Sequence, residues 1–378
     1  MIIGVDAGAL SIADDRLKVG VYRVTTCALA AMSEIDKENH YRLYTFGKIE
    51  EGIFSGFEDR VEIVQLPKRG WQRVWLPIEL KKHPVDAFLG FAQALPTVST
   101  LCDIGFIYDL GFVYEPEVYG SAANVLKKQT VELIRRADHI ITISHATKAD
   151  IVNHYSMPAE TISVCYPGVR PIFSPKGAKH VSPRPYFLFV GSLNKAKDIP
   201  RLIGEFRKFC VKNTTHDLFL VGGDYWPDPA IEETLGTLHL ENRVKKIGFV
   251  SDEELPTYYR GAVAFMTTAL REGFCLPAAE AMACGCPVVA VDRGAMAEVV
   301  GEGGIVIKEA GRVKSNAGKT SGEFAAALMR MTHKKTREAL AIKAIVQAKK
   351  FRWEEFAKVI LDSVELHKAR PSKAKAWP

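Results

Sequence analysis

The chain has 378 residues, a length typical of two or three domains. Hydrophobic residues make up 47% and charged residues 25%, a balance that excludes a disordered or fibrous protein. The net charge of +6 fits an anionic small ligand, a membrane surface or a nucleic acid, but no arginine-rich block with interleaved aromatic residues favours the last.

The cysteines and the amino terminus bear on the cellular compartment. The 7 cysteines are scattered and often stand in apolar runs, which predicts buried free thiols in a reducing compartment. Cys284 and Cys286 form the one close pair, and without a second cysteine or histidine pair at ligand spacing we predict no metal site there. No apolar run approaches the ~18 residues of a membrane-spanning helix, and the first residues lack a basic segment or cleavage site. We therefore expect a cytoplasmic protein.

In the first half of the chain, short runs of Val, Ile and Phe alternate with amphipathic stretches. Such alternation is typical of a parallel sheet covered by helices. We predict strands at residues 2–6, 42–46, 61–65, 86–89, 105–108, 139–143 and 161–165.

A polar, proline-rich segment at residues 173–185 predicts a linker, after which a second alternating series begins. Its strands are predicted at residues 186–190, 217–221, 244–248, 262–266, 287–291 and 304–307. The α/β fold class is thus two doubly wound units, with domains at 1–175 and 186–350 and a C-terminal segment at 351–378 that ends in a basic tail. Because ligands bind beyond the carboxyl ends of parallel strands, two such units facing each other predict an interdomain cleft.

The most informative local pattern is at residues 271–285. Pro277 suits the first turn of a helix, Gly285 suits the position just past its end, and an apolar strand follows. Glu272 then lies in the loop before the helix. Glu280 is predicted on the first turn, near the end with free backbone N–H groups and a positive dipole.

This combination suits a ligand that carries both phosphates and hydroxyls. Backbone amides near Gly273 and Phe274 can donate to phosphate oxygens, while the two carboxylates of Glu272 and Glu280 accept from hydroxyls. The alternative is that Glu280 only complements the helix dipole and that Glu272 is a solvated loop charge.

A second pattern follows the predicted strand at residues 186–190. The strand ends in a Gly191-Ser192 turn, and Lys195 and Lys197 precede a helix for which Asp198 is a candidate N-cap. A lysine on such a loop can offer positive charge to a diphosphate. The alternative is that both lysines are solvated.

These motifs resemble family 4 of the retaining, nucleotide-sugar-dependent glycosyltransferases. The string at residues 248–260 leads to Glu272 and Glu280, eight positions apart, and then to the strand at 287–290; residues 108–110, 137–144 and 166–169 are also similar. The resemblance covers nearly the whole chain. It implies the GT-B fold of two Rossmann-like domains that face an interdomain cleft.

The resemblance also implies residue roles. Glu272 would contact the transferred sugar, Glu280 the ribose and Lys197 the diphosphate. Residues 351–353 would open a C-terminal helix that crosses back towards the first domain. The expected catalytic residues are Glu272, Lys197 and Asp109, and the expected donor-binding residues are Gly20, Gly191, Ser192, Lys195, Lys197, Gly273, Phe274, Cys275, Leu276 and Glu280.

The implied activity is transfer of a hexose, with mannose as the first candidate, from a nucleoside-diphosphate sugar to a glycan or lipid-linked acceptor in surface polysaccharide or glycoconjugate synthesis. No cofactor, essential metal or nucleic-acid partner is expected. A nucleotide-sugar epimerase and a non-catalytic nucleotide-sugar-binding protein of the same fold are the alternatives.

The sequence departs from the family pattern at four points. Ala196 stands where a second basic residue is expected before Lys197, and Tyr108 precedes Asp109 where many members have histidine. Cys275 replaces a glycine, so its Cβ could crowd the approach of backbone to ligand. The first glycine expected in the loop before Gly20 is also lacking.

Two further segments allow opposite interpretations. Residues 68–82 mix basic and aromatic side chains. One interpretation is a peripheral segment that contacts anionic lipid at the inner face of the membrane. The other is a solvated loop whose two tryptophans pack in the core. Ser144 and His145 invite a nucleophile and base, but without a nucleophile elbow Ser144 better suits a helix start. His139 suits a strand-end or core position better than a ligand.

Overall fold

The computed structural model describes residues 1–12, 18, 20–49, 58–223, 228–308 and 322–368. The chain separates into two compact units. Unit 1 comprises Met1–Gly168 together with the described residues from Arg352 onward, and unit 2 comprises Val169–Phe351.

Each unit is built on one parallel sheet. Every strand predicted from the sequence is present, although β5 begins earlier than expected and β11 later. The strands of unit 1 are β1 (Ile2–Asp6), β2 (His40–Thr45), β3 (Val61–Gln65), β4 (Ala87–Gly90), β5 (Cys102–Ile107), β6 (His139–Thr142) and β7 (Ile162–Val164), and those of unit 2 are β8 (Tyr186–Val190), β9 (Asp217–Val221), β10 (Val244–Gly248), β11 (Phe265–Thr267), β12 (Val288–Val291) and β13 (Gly304–Ile307).

The strand order shows where each sheet can bind a ligand. Unit 1 has the order β3-β2-β1-β4-β5-β6-β7, and unit 2 has the order β10-β9-β8-β11-β12-β13. The order reverses between β1 and β4 and between β8 and β11, and ligands bind at such switch points, beyond the carboxyl ends of the strands. The predicted α/β fold class of two doubly wound Rossmann-like units is confirmed.

Fourteen α-helices occur in the described part of the chain and complete the two units. They are α1 (Val21–Ile35), α2 (Leu76–Lys82), α3 (Gly111–Tyr114), α4 (Pro116–Tyr119), α5 (Ala122–Arg136), α6 (His145–Tyr155), α7 (Ile199–Cys210), α8 (Ala230–Leu238), α9 (Leu255–Gly261), α10 (Leu276–Ala283), α11 (Met296–Val300), α12 (Glu323–Thr332), α13 (Lys334–Ala348) and α14 (Trp353–Lys368).

The inner strands explain why the sequence shows continuous apolar runs. Every residue of β4, β5, β6, β9 and β12 is buried, as expected for parallel strands covered by helices on both faces. In unit 2 the core is continuous from β8 and β9 to Phe206 and Phe209 of α7 and to Phe324 of α12.

The last helix, α14, belongs to unit 1 and packs against α1. Its residues Phe356, Ile360 and Val364 are fully buried and lie on one helical face, since they are four positions apart. The chain passes this helix closely at Gly168, where a Cβ atom would lie 2.2 Å from the backbone nitrogen of Trp353. Only glycine fits there.

The segment 173–185, predicted as a linker, is instead packed within unit 2. His180 stacks on Tyr258 of α9 with ring centroids 4.1 Å apart, and its N–H donates to the Thr257 carbonyl at 2.9 Å. Arg260 donates to the carbonyl oxygens of Ala178 and Ser174. Composition indicated a linker because this segment is held largely by hydrogen bonds to its backbone, and Phe173 is its one buried apolar side chain among the described residues.

In the described part of the chain, we find no helix that combines the length and the apolar character needed to cross a membrane.

Candidate active site

The first loop of the site follows β8 at the carboxyl edge of the sheet of unit 2. Gly191 has a φ of 149°, and a Cβ atom on Gly222, just after β9, would lie 2.0 Å from the Gly191 carbonyl oxygen. The two glycines thus let neighbouring strand ends approach each other. A short 3-10 helix follows at Lys195–Lys197, and the Asn194 side chain accepts a hydrogen bond from the Ala196 N–H at 3.1 Å.

The second loop runs from β11 to α10 and is bonded to the first. The Thr268 hydroxyl donates to the Asp198 carbonyl at 2.9 Å, and the Leu270 N–H donates to the Ala196 carbonyl at 3.0 Å. Since β8 and β11 are neighbours at the switch point, these bonds hold the two loops side by side where the sheet can bind a ligand.

The paired loops bring Lys197 and Glu272 into contact. The Nζ atom of Lys197 lies 2.6 Å from Oε1 of Glu272, and the two side chains are 27% and 12% exposed. Charge-assisted hydrogen bonds of this kind are short and strong. The two residues thus form one polar centre, and their roles towards a ligand stay predictions.

A third loop, which the sequence analysis missed, fixes Glu272. Gly294 follows β12 and pairs with Glu272 in a parallel bridge, and the Ala295 N–H donates to the Glu272 carbonyl at 2.9 Å. Gly294 has a φ of 66°, and a Cβ atom there would lie 2.2 Å from the Glu272 carbonyl oxygen. The sequence feature that could have indicated this loop is a glycine, Gly294, shortly after the strand predicted at residues 287–291.

Helix α10 begins and ends largely as its sequence predicts. Pro277 lies in the first turn, and Gly285, with a φ of 76°, lies just past the helix end. Glu280, however, is the fifth residue of α10 (Leu276–Ala283), so it stands in the second turn and not in the first. The first turn holds Leu276, Pro277 and two alanines instead.

Neither glutamate is a solvated charge. Glu280 is 7% exposed, and the Tyr259 hydroxyl of α9 donates to its Oε2 atom at 3.2 Å. Glu272 is held by Lys197, as described above. Because burying a carboxylate is costly unless it is hydrogen-bonded, two such groups beside one helix favour a binding role over a surface one.

Cys275, the residue before α10, has a φ of 75°. This left-handed conformation costs a non-glycine residue roughly 1–2 kcal/mol, so the replacement of glycine acts on the backbone as well as through the Cβ atom. Burial, reinforced by the nearby Glu272 carboxylate, raises the pKa of the Cys275 thiol. The thiol therefore stays protonated and does not serve as a nucleophile.

The other predicted donor-binding residues of unit 2 differ in exposure. Phe274 is 2% exposed and packs edge-on against Phe351, with ring centroids 5.0 Å apart, so its side chain is structural. Gly273 is also buried, Ser192 is half-buried and Lys195 is exposed.

A charged group lies beside the first loop. Burial raises the pKa of Asp198, while the charges of Arg201 and Arg293 oppose the rise. Arg293 stands next to Gly294 on the third loop, so the three loops contribute charges of both signs. No local pattern in the sequence marks Arg293 as a site residue, because only the fold places it near Asp198.

Two predicted site residues belong to unit 1. Gly20 precedes α1 with a φ of 52°, and among the described residues no atom outside its chain neighbours lies within 4 Å of the position its Cβ would take. The loop before it, at residues 13–17 and 19, lies outside the described residues. Asp109 follows β5, and its Oδ1 atom accepts a hydrogen bond from the Gly111 N–H at 2.7 Å.

Beside Asp109, the hydroxyl of Tyr108 is buried and makes no hydrogen bond within the described part of the chain. Asp6, at the end of β1, is 1% exposed, and burial raises its pKa to about 6, while the Gly8 N–H and Gln72 oppose that rise. Burial, and to a smaller extent the charge of Asp6, raise the pKa of Tyr108. Polar groups thus also end the strands of unit 1.

Ser144 and His139 have the structural roles predicted for them. The Ser144 side chain caps α6 by accepting from the Thr147 N–H at 3.0 Å. His139 is buried at the start of β6, with Nε2 2.8 Å from the Ser163 hydroxyl. The seven cysteines are free thiols, and the described residues contain no group of three or more His, Cys, Asp or Glu side chains arranged to hold a metal ion.

Comparison with known proteins adds sequence evidence to this geometry. Residues 173–347 match the family model "Glycosyl transferases group 1". The chain is 25% identical over 251 residues to O-antigen chain mannosyltransferase B of Escherichia coli, covering 64% of each chain. It is 30% identical over 175 residues to O-antigen chain mannosyltransferase RfbU of Salmonella typhimurium, covering 46% of this chain and 48% of that one. The matches therefore span about half to two thirds of these relatives.

Solved structures extend the similarity of fold to both units. The chain matches sucrose-phosphate synthase from Thermosynechococcus elongatus with a TM-score of 0.73 at 17% identity, over 97% of this chain and 98% of that one. By fold this protein is therefore of the GT-B type, and its second unit carries the sequence pattern of the group 1 glycosyl transferases.

Proposed function

We propose that this protein is a hexosyltransferase that uses a nucleoside-diphosphate sugar as donor. The observation that carries the proposal is the contact of Lys197 with Glu272, at the switch point of unit 2 and beside the buried carboxylate of Glu280. The family match over residues 173–347 supports it, because this segment contains all three residues. Unit 1 then binds the acceptor.

The reaction needs stabilisation of the charge that develops on the departing diphosphate. Lys197 and the backbone amides near Gly273 supply positive potential there, while Glu272 binds hydroxyls of the sugar and Glu280 those of the ribose. In the retaining mechanism that we propose, the acceptor hydroxyl attacks the front face of the sugar. The departing phosphate oxygen helps to take its proton, so no essential metal is required.

Mannose is the sugar that we test first, because the two curated relatives described above are mannosyltransferases at 25% and 30% identity. The corresponding donor is GDP-mannose, and the acceptor that we propose is a glycan or a lipid-linked glycan. In unit 1, Asp109 is the candidate residue for contacting the acceptor, and Gly20 is the candidate residue for contacting the donor phosphates.

A thermal-shift screen tests the proposal. A ligand that binds only the native state raises the melting temperature by mass action. We expect one nucleotide class among UDP-, GDP-, ADP- and dTDP-sugars to stabilise the protein selectively, and its sugar to be transferred or slowly hydrolysed in the presence of EDTA. The proposal fails if no nucleotide sugar stabilises the protein at millimolar concentration, and release of an epimerised sugar without an acceptor would indicate an epimerase.

We also propose that unit 1 contacts an anionic membrane at the inner face, through residues 68–82. This segment is helical rather than a loop, with a π-helix at Trp71–Trp75 followed by α2. Of its two tryptophans, Trp71 packs against Phe46 with ring centroids 5.5 Å apart, whereas Trp75 is 41% exposed. Apolar and basic side chains are thus exposed together: Val74, Trp75 and Ile78 with Lys68, Arg69, Arg73, Lys81 and Lys82.

Vesicle binding tests this surface. We expect the variant with Lys68, Arg69 and Arg73 all replaced by Gln to bind phosphatidylglycerol vesicles more than tenfold less tightly than wild type, since each basic residue contributes about 1 kcal/mol near an anionic surface. Co-sedimentation measures the change. The matched control replaces Lys334, Lys335 and Lys343, exposed residues of unit 2, and should bind as wild type does. Equal binding by both triple variants contradicts the membrane proposal.

A further inference from the structure

Tyr259 is a fully buried residue of α9, and its ring and its hydroxyl have different contacts. Its ring lies edge-on to Phe173, with centroids 5.9 Å apart, and tilted against Phe265 at 6.4 Å. A phenylalanine would fill this apolar space equally well. The hydroxyl instead donates to Oε2 of Glu280 at 3.2 Å.

Burial and the Glu280 carboxylate together raise the pKa of Tyr259 well above its usual value of 10. The hydroxyl therefore remains protonated at any physiological pH, and it remains a donor. A donor that cannot ionise and that is held in a rigid core fixes the plane of the carboxylate that it binds.

We propose that Tyr259 is a positioning residue that aims the Glu280 carboxylate at the ribose hydroxyls of the nucleotide and so sets selectivity for ribonucleotides over deoxyribonucleotides. The inference rests on the proposed function, in which Glu280 contacts the ribose. It goes further by naming Tyr259 as the residue that orients Glu280 and the ribose hydroxyls as the groups that the oriented carboxylate recognises. Tyr259 itself touches no substrate.

The physical basis is that a buried polar group rejects a ligand that lacks its hydrogen-bonding partner. A site built to bond a substrate hydroxyl discriminates strongly against the analogue without it, because the buried group is then left unpaired. Such discrimination depends on a fixed geometry. If Oε2 loses the Tyr259 hydroxyl, the carboxylate loses one bond that fixes its orientation, and we expect it to bond the ribose less selectively.

The test compares the affinities of GDP and 2′-deoxy-GDP, and of UDP and 2′-deoxy-UDP, by calorimetry on the full chain. We expect wild type to prefer the ribonucleotide of its donor class by roughly tenfold or more, the usual size of a hydrogen bond to a charged group. In Tyr259→Phe this ratio should fall by at least threefold. A purely structural role would lower the melting temperature and leave the ratio unchanged.

Tyr186 provides a matched control. Its hydroxyl is also buried in unit 2 and donates to the Tyr258 carbonyl at 2.8 Å, rather than to Glu280. Tyr186→Phe should therefore lower the melting temperature and keep the wild-type ratio. If Tyr259→Phe also keeps that ratio, the inference about Tyr259 is wrong while the proposed function stands.

Two further outcomes separate the inference from the function on which it rests. If wild type binds both sugars of a pair equally, Glu280 does not read the ribose, and both the role of Glu280 and the inference fail. If Tyr259→Phe does not fold, the affinity ratio is measured instead in the double variant Tyr259→Phe/Glu280→Gln and compared with that of Glu280→Gln. The double variant removes the buried charge of Glu280 together with its hydrogen-bond donor, so no buried carboxylate is left unpaired. A lower ratio in the double variant supports the inference, and equal ratios overturn it.

Discussion

Replacing Lys197 with alanine is expected to lower turnover by roughly 100-fold or more. Loss of one group that stabilises charge on a leaving group has an effect of this size, because the group acts mainly in the transition state. Lys197 is held by Glu272 at 2.6 Å, at the switch point of unit 2 where we propose that the diphosphate departs. Steady-state kinetics with the donor found by thermal shift measure the effect.

Glu272→Gln should also reduce turnover, and the double variant Lys197→Ala/Glu272→Gln should lose little more than either single variant. Groups that act as one unit show such non-additive losses. Additive losses would instead mean that the two residues act separately. Near-normal activity in both single variants would show that neither residue has the role we propose.

An exposed ion pair of unit 2 serves as the control. Lys343 lies 3.1 Å from Glu302, and the two side chains are 54% and 80% exposed. Exposed pairs of this kind contribute little to stability, typically below 1 kcal/mol. Lys343→Ala and Glu302→Gln are therefore expected to leave turnover within about twofold of wild type, since both side chains lie mostly in solvent.

Gly294→Ala is expected to remove nucleotide binding and to lower the melting temperature by more than roughly 5 °C. The new Cβ atom would meet the Glu272 carbonyl oxygen at 2.2 Å, and neither atom can withdraw without breaking the bridge between the two residues. A clash with backbone combined with a left-handed φ is one of the few single changes that cost several kcal/mol. Thermal unfolding, with and without nucleotide, measures both effects.

Alanine substitutions at two other glycines of unit 2 distinguish the effect of the steric clash at Gly294 from the effect of its left-handed φ. Gly248 has a φ of 83° with open space at its Cβ position, so Gly248→Ala carries only the left-handed cost of roughly 1–2 kcal/mol. Gly204 lies within α7 with open space and no unusual φ, so Gly204→Ala should stabilise slightly, by roughly 0.5–1 kcal/mol. If Gly294→Ala behaves like Gly248→Ala, the bridge to Glu272 is not essential.

Local signals in the sequence were sufficient for the fold and for much of the site. The buried strands are visible as apolar runs, and Ser144, Pro277 and Gly285 mark helix ends through chemistry that involves only neighbouring residues. The sequence also indicates that Lys197 and Glu272 both follow strands whose carboxyl ends meet at one edge of a sheet, although it does not predict their direct contact.

Contacts between distant segments were beyond such reasoning. Tyr259 and Glu280 lie on different helices, and nothing in either helix marks the other as its partner. Gly294 supports Glu272 only because β12 places their loops together. Segment 173–185 looked like a linker for a related reason, since backbone hydrogen bonds, which every sequence can make, leave no compositional mark.

The position of α14 has a consequence for how the protein is made. A ribosome releases the residues of unit 1 first, yet the face of that unit that packs Phe356, Ile360 and Val364 stays uncovered until residues after Phe351 emerge. Unit 2, which is continuous in sequence, can complete its core before unit 1 does, although its synthesis begins later. Nascent unit 1 therefore lacks the cover of α14 while residues 169–351 are made, and docking of α14 completes its core.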